Sequence, residues 1–156
     1  MGNLLLGILI GIIVTAVAVY VLTPRLMVAV HKSKLPFAET VDKIVQEAES
    51  RDWLVPKVYN LQNTLSKAGY TDMTKLNVIS LCKPAHAYKI LKPDAQKFIT
   101  AIMPCRMGVY ETADGSVYIS EMNMGLMSKL FGKNIGNVIS EVVVEESAML
   151  ADVISS

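Results

Sequence analysis

From Asn3 to Leu22 the chain reads NLLLGILIGIIVTAVAVYVL, a run without a single charged side chain. As a helix rising about 1.5 Å per residue it spans the roughly 30 Å hydrocarbon core of a bilayer, and an all-round apolar helix has no polar face to offer water. A cleaved signal peptide would carry a basic leading segment, a shorter apolar core and a small-x-small cleavage site. Here only Met1-Gly2 precede the run, which is also too long. The expectation is an uncleaved anchor over residues 1–24, with Tyr20 at the interface and Pro24-Arg25 as the exit. Arg25, Lys32 and Lys34 follow the span, whereas only the terminal amine precedes it. The positive-inside rule therefore places residues 25–156 in the cytoplasm, as the soluble part of a single-pass cell-membrane protein. On that side Cys82 and Cys105 would be thiols, and on an oxidising side they could close a disulfide.

The rest of the chain has the length of one compact domain. Its formal charge of +1 is balanced and shows no basic stripe, so a nucleic-acid surface is not expected. The two cysteines form neither CxxC nor CxxCH, the spacings of zinc ribbons and attached haem. A G-x-S-x-G elbow, a P-loop and a dinucleotide fingerprint are all missing, and catalysis is not expected. The adjacent acids Glu145-Glu146 read as the solvated face of a C-terminal helix.

LMVAVHKSKL has the β-branched content of a strand and follows the span with no flexible tether. In FAETVDKIVQEAESRDW, Phe37, Val41, Ile44, Val45 and Ala48 form the stripe of an amphipathic helix. WLVPKVYN predicts a strand that Pro56 confines to an edge or a bend, and LQNTLSKAG a short helix closed by Gly69. KLNVISL predicts a strand ending at Cys82, and Pro84 opens the helix PAHAYKIL. A further helix, AQKFITAIM, stops before Pro104, so Cys105 begins the next strand. CRMGVYE and SVYISEMN flank the turn Thr112-Ala113-Asp114-Gly115 and predict a hairpin. A short helix over Met124 to Phe131 and a long one over Ile135 to Ile154 complete the chain. This order predicts an α+β domain with helices packed on a mainly antiparallel sheet.

The segments LPFAETVDKIVQEAESRDW, ISLCKPAHAYKIL and MPCRMGVYETADGSVYISEMNMGLMSKLFG resemble the domain-of-unknown-function 302 family over roughly residues 26 to 154. The most specific piece is the proline-cysteine start of a strand, followed by valine-tyrosine-glutamate and the Asp-Gly turn. The resemblance implies a TBP-like α+β fold that tends to form a homodimer. It implies no established activity and supplies no catalytic residue.

The sharpest constellation is Cys82, His86 and Cys105. Cys82 and His86 stand four apart at a helix start and can face the same way, and Cys105 joins them if the two cysteine-bearing strands are neighbours. Thiolate and imidazole suit zinc, copper(I) or iron, with Met103, Met107, Met122 or Met124 as a soft addition, so the set is a candidate metal or haem site. It is also a candidate thiol pair, or simple packing, since free cysteine commonly fills cores. Met122, Met124 and Met127, with Leu126, Leu130 and Phe131, read as an exposed apolar patch for a partner or a second copy. Two functions follow. One is a membrane-anchored accessory or interaction domain within a dimer or membrane complex. The other is a ligand-binding or redox domain that holds a soft metal, haem, a small apolar molecule or a reactive thiol pair through Cys82, His86 and Cys105.

Overall fold

The computed structural model describes residues 2–155. Helix α1 (Gly2–Met27) passes directly into strand β1 (Val28–Lys32). Its window Leu6–Thr23 is long and apolar enough to cross a membrane and is not buried against the domain, a test that a signal sequence also passes. The helix runs beyond the expected exit at Pro24-Arg25 for an identifiable reason. The carbonyls of a last helical turn lack partners within the helix. Here Asn123 supplies them, its backbone N–H donating to Met27 at 2.8 Å and its Nδ2 to Leu26 at 2.9 Å.

Helix α2 (Phe37–Glu49) buries Thr40, Val41, Ile44 and Ala48, close to the stripe its spacing predicts. Strand β2 (Leu54–Asn60) lies at a sheet edge, and its register shifts between Leu54 and Lys57, where Pro56 removes a ladder donor. Asn60 caps helix α3 (Leu61–Lys67) by accepting from the Asn63 N–H at 2.7 Å. Strand β3 (Leu76–Cys82) leads into helix α4 (Pro84–Leu91). Between Asp94 and Ile102 the expected α-helix is a 3₁₀ segment. Pro93 and Pro104 bracket that stretch, and Ile99 and Ile102, both packed into the apolar cluster there, stand at the three-residue period of the tighter helix. Strands β4 (Cys105–Glu111) and β5 (Val117–Met122) form the expected hairpin, with Gly115 at φ +81° in the turn. Helices α5 (Met124–Leu130) and α6 (Lys133–Leu150) follow. The last helix stops short of Ile154 because that residue bridges to Ser33, extending the pairing at the end of β1.

The sheet order is β1-β5-β4-β3-β2, and every neighbouring pair is antiparallel. Alternation sends Ile79, Leu81, Met107, Val109, Val117 and Ile119 to one face, where all six are buried against α2 and α6. A second apolar cluster joins Ile90 and Ile99 to Ile135, Val138 and Ile139. Helix α6 thus packs on the sheet with one side and on α4 and the 3₁₀ segment with another. Its close approach to α5 requires Gly136, where a Cβ would lie 2.5 Å from the Ser128 carbonyl oxygen. The expected methionine patch is smaller than the sequence suggests. Met127 is buried and Met124 packs against both clusters, which leaves Leu130 as its exposed member.

Candidate functional site

Cys82 ends β3, His86 lies in the first turn of α4, and Cys105 opens β4 beside Leu81. The three sequence-predicted residues do meet. Together with Trp53, Ile90 and Met103 they line one apolar cavity of about 50 Å³. Both cysteines are free and partly buried. Among the described residues, no group of three or more His, Cys, Asp or Glu side chains is arranged to hold a metal ion.

His86 is directed at helix α6 rather than at the sulfurs. It is 7% exposed, and its Nε2 lies 3.1 Å from Glu145 Oε1. Its Nδ1 is 3.4 Å from Glu141 Oε2 without hydrogen-bond geometry. The other oxygen of Glu145 accepts from Trp53 Nε1 at 2.5 Å and from Lys83 Nζ at 2.6 Å. The Trp53 and His86 rings meet edge to face with centroids 6.1 Å apart. Partial burial works against the charge on Glu145, but the hydrogen bonds from Lys83, Trp53 and His86 outweigh it and bring its pKa down to about 2.

The next residue is pushed the other way. Glu146 is 6% exposed, and the solvated face expected for the Glu145-Glu146 pair is therefore not what the structure shows. Val142, Glu146, Met149 and Leu150 occupy one stripe of α6, all buried, so the position of Glu146 on the helix delivers its carboxyl to the sheet. Burial, and then the Glu121 carboxyl, push its pKa up to about 8. Alternation along β5 puts Glu121 on the same inner face as Val117 and Ile119, opposite Met107. Burial raises Glu121 as well, against the pull of His31, whose Nε2 lies 3.4 Å from its Oε1. Both glutamates escape motif reasoning, although strand alternation and the α6 stripe contain them.

Cys105 contacts Glu146. Burial pushes its thiol far above the ordinary cysteine value, and the neighbouring Glu146 and Cys82 push in the same direction. Arg106 is exposed on the opposite face of β4, as strand alternation requires, and cannot stabilise a thiolate. The thiol is therefore held protonated, a poor nucleophile. Met103, Pro104 and Cys105 border both the small cavity and a wider groove of about 450 Å³ at the foot of α1. That groove takes in Met27, Val28, Met122, Glu121 and Glu146, with Arg106 among its lining residues.

Comparison with known proteins places this domain. The model of the family described as domain of unknown function DUF302 matches residues 29–156. The crystal structure of an uncharacterized conserved DUF302 protein from Bacillus stearothermophilus superposes with a TM-score of 0.70 at 15% identity, over 81% of this chain and 97% of that one. At that identity the likeness is one of fold. No curated protein matches the chain. Helix α1 thus precedes the matched region, and from Ala29 onward the chain belongs to the DUF302 family.

Proposed function

We propose that the protein is a single-pass membrane-anchored accessory domain, held rigidly at the bilayer surface, that binds a partner or a second copy and performs no catalysis of its own. The observation that carries this is the junction at the foot of α1. The helix enters β1 without a linker, and Asn123 ties its last two carbonyls to the start of α5. A helix apolar on every side and uncovered by its own domain needs a lipid environment. A rigid joint then fixes how the domain faces that lipid. The basic residues after the span favour the cytoplasmic side.

Two treatments of native membranes test the reading. The chain is expected to stay in the pellet through alkaline carbonate extraction, and trypsin is expected to digest the domain in inverted vesicles but not in right-side-out ones. Recovery of full-length protein in the carbonate supernatant would sink it.

A second reading has one observation behind it, the convergence of Cys82, His86 and Cys105 on a single cavity. Its volume of about 50 Å³ suits a single ion or a thiol pair and is far too small for haem. The Nε2 of His86 is already engaged by Glu145, and the Cys105 thiol holds its proton, both of which disfavour metal ligation. Elemental analysis and an absorption spectrum of the detergent-extracted protein, beside Cys105→Ala, decide the matter. The expected result is a colourless protein with no stoichiometric metal in either form. A stoichiometric soft metal lost on Cys105→Ala would instead establish the second reading.

A further inference from the structure

Helix α6 reaches past the sheet on the side where α1 leaves it. Just beyond its C-terminus the chain is tied to the far end of β1, where the Val153 carbonyl accepts from the Lys34 N–H at 3.0 Å and Ile154 bridges to Ser33. Lower down, Glu145 meets Lys83 just after β3, at the sheet end that also holds the first residue of β1 and the last of β5. The helix continues from there back to Lys133, roughly 18 Å at 1.5 Å per residue. The membrane-spanning window ends at Thr23, only four residues before α1 itself ends at Met27. In an anchored chain the projecting end of α6 therefore comes level with the bilayer surface.

That end carries an apolar patch ringed by lysines. Phe98 of the 3₁₀ segment is 62% exposed and Leu130 at the end of α5 is 67% exposed. The Phe98 and Phe131 rings, with centroids 6.4 Å apart, join the two elements into one surface. From Asn123 to Ser140 the chain has two lysines and no acid. The acids nearby are taken up, Asp94 by Lys97 at 2.5 Å and Glu141 by Lys89 at 2.8 Å. Among the described residues Lys92, Lys129 and Lys133 form no ion pair, and the Lys92 ammonium lies 5.6 Å from the centre of the exposed Tyr88 ring. Exposed apolar side chains beside unpaired ammonium groups suit the boundary between acyl chains and anionic headgroups. A symmetric contact with a second copy would instead set these lysines against their own kind.

We propose that Phe98, Leu130 and Phe131 dip into the bilayer that holds α1, with Lys92, Lys129 and Lys133 seated on its anionic phospholipid headgroups. The proposal rests on the anchored reading and adds a second contact to it. A single spanning helix leaves the domain free to turn about the helix axis, whereas a second point of attachment fixes which face it presents to a partner. The attraction needs negative lipid and weakens as salt rises.

Full-length chains in nanodiscs test this, some discs of phosphatidylcholine alone and some mixed equally with phosphatidylglycerol, all doped with acyl-brominated phosphatidylcholine. Phe98→Trp places an indole in the patch, and Tyr70→Trp places one in the exposed segment before β3, at the far end of the sheet. The wild type, whose Trp53 is buried, supplies the baseline. In anionic discs bromine is expected to quench the first reporter at least twofold more than the second. The excess should be lost in neutral discs, and in anionic ones when Lys92, Lys129 and Lys133 are all changed to Gln. Native circular dichroism shows that these exposed substitutions leave the fold intact. Equal quenching of the two reporters in anionic discs, or the same quenching of Phe98→Trp in neutral and anionic discs, would overturn the proposal. So would a blue-shifted but unquenched indole, which would assign the patch to a second copy or another protein. Entry of the chain into the disc reads the anchor separately. A chain left outside fails the anchored reading, and vesicles of the two compositions then read the patch through the same indole, with quenching by the anionic ones alone supporting it and no quenching overturning it.

Discussion

Glu146→Gln is expected to make the domain more stable at pH 8 and to remove most of its loss of stability between pH 5 and pH 8. The folded chain holds the Glu146 proton up to about pH 8, whereas the unfolded chain releases it near the ordinary value of 4.5. Across that window the folded state binds more protons than the unfolded state, so stability falls as pH rises. The wild-type protein should therefore be most stable on the acid side of the window. With each pH unit of difference worth 1.36 kcal/mol, and some water reaching the carboxyl from the groove, the change amounts to on the order of 3 kcal/mol. Glutamine keeps the shape and cannot ionise. Glu121 remains, raised by its own burial, so a shallower slope persists. Urea unfolding of the detergent-solubilised chain at pH 5 and pH 8, followed by the emission of Trp53, the sole tryptophan, measures both effects. Parallel pH profiles for the two proteins would show that Glu146 is not the titrating group.

Much of this arrangement is legible in the sequence, and the exceptions have physical reasons. The strands, the hairpin and the amphipathic helices follow from local period and turn chemistry, which is why β3, β4, β5 and α2 stand where alternation and spacing put them. The meeting of Cys82, His86 and Cys105 is legible only as a condition, because neighbouring of β3 and β4 is a matter of topology. The 3₁₀ segment departs from the predicted α-helix because apolar spacing of three and four residues fits either helix over so short a stretch. The burial of Glu146 departs further from local pattern. Two consecutive glutamates invite a solvated reading, yet consecutive helical residues sit about 100° apart, so one can face solvent while the next enters the core. Counting back by four from Leu150 and by three from Met149 reaches Glu146 and not Glu145. Glu121 follows the same logic on a strand, two residues beyond Ile119 and four beyond Val117.

Glu145→Ala is expected to be the most damaging single change outside the apolar core, lowering stability by about 3 kcal/mol at pH 7, as for a partly buried charge stripped of its partner. The alanine would leave three donors without an acceptor at once: the indole N–H of buried Trp53, the Lys83 ammonium and the imidazole of His86. Glu145→Gln keeps a carbonyl oxygen in place and should cost less than half as much, since the indole retains its acceptor while the ion pair to Lys83 is lost. The pH dependence has the sign opposite to that of Glu146. The folded chain holds Glu145 ionised down to about pH 2, so its contribution is present above pH 4.5 and fades as pH falls toward 2. Both substitutions should flatten this acid limb and leave the slope between pH 5 and pH 8 intact, which separates the two glutamates experimentally although they are neighbours in the chain. The single indole N–H resonance supplies a local readout, because loss of its carboxylate acceptor moves the signal upfield in Glu145→Ala and less so in Glu145→Gln. An unmoved indole signal in the alanine variant, or an acid limb as steep as that of the wild type, would mean that Glu145 does not hold Trp53, Lys83 and His86 together.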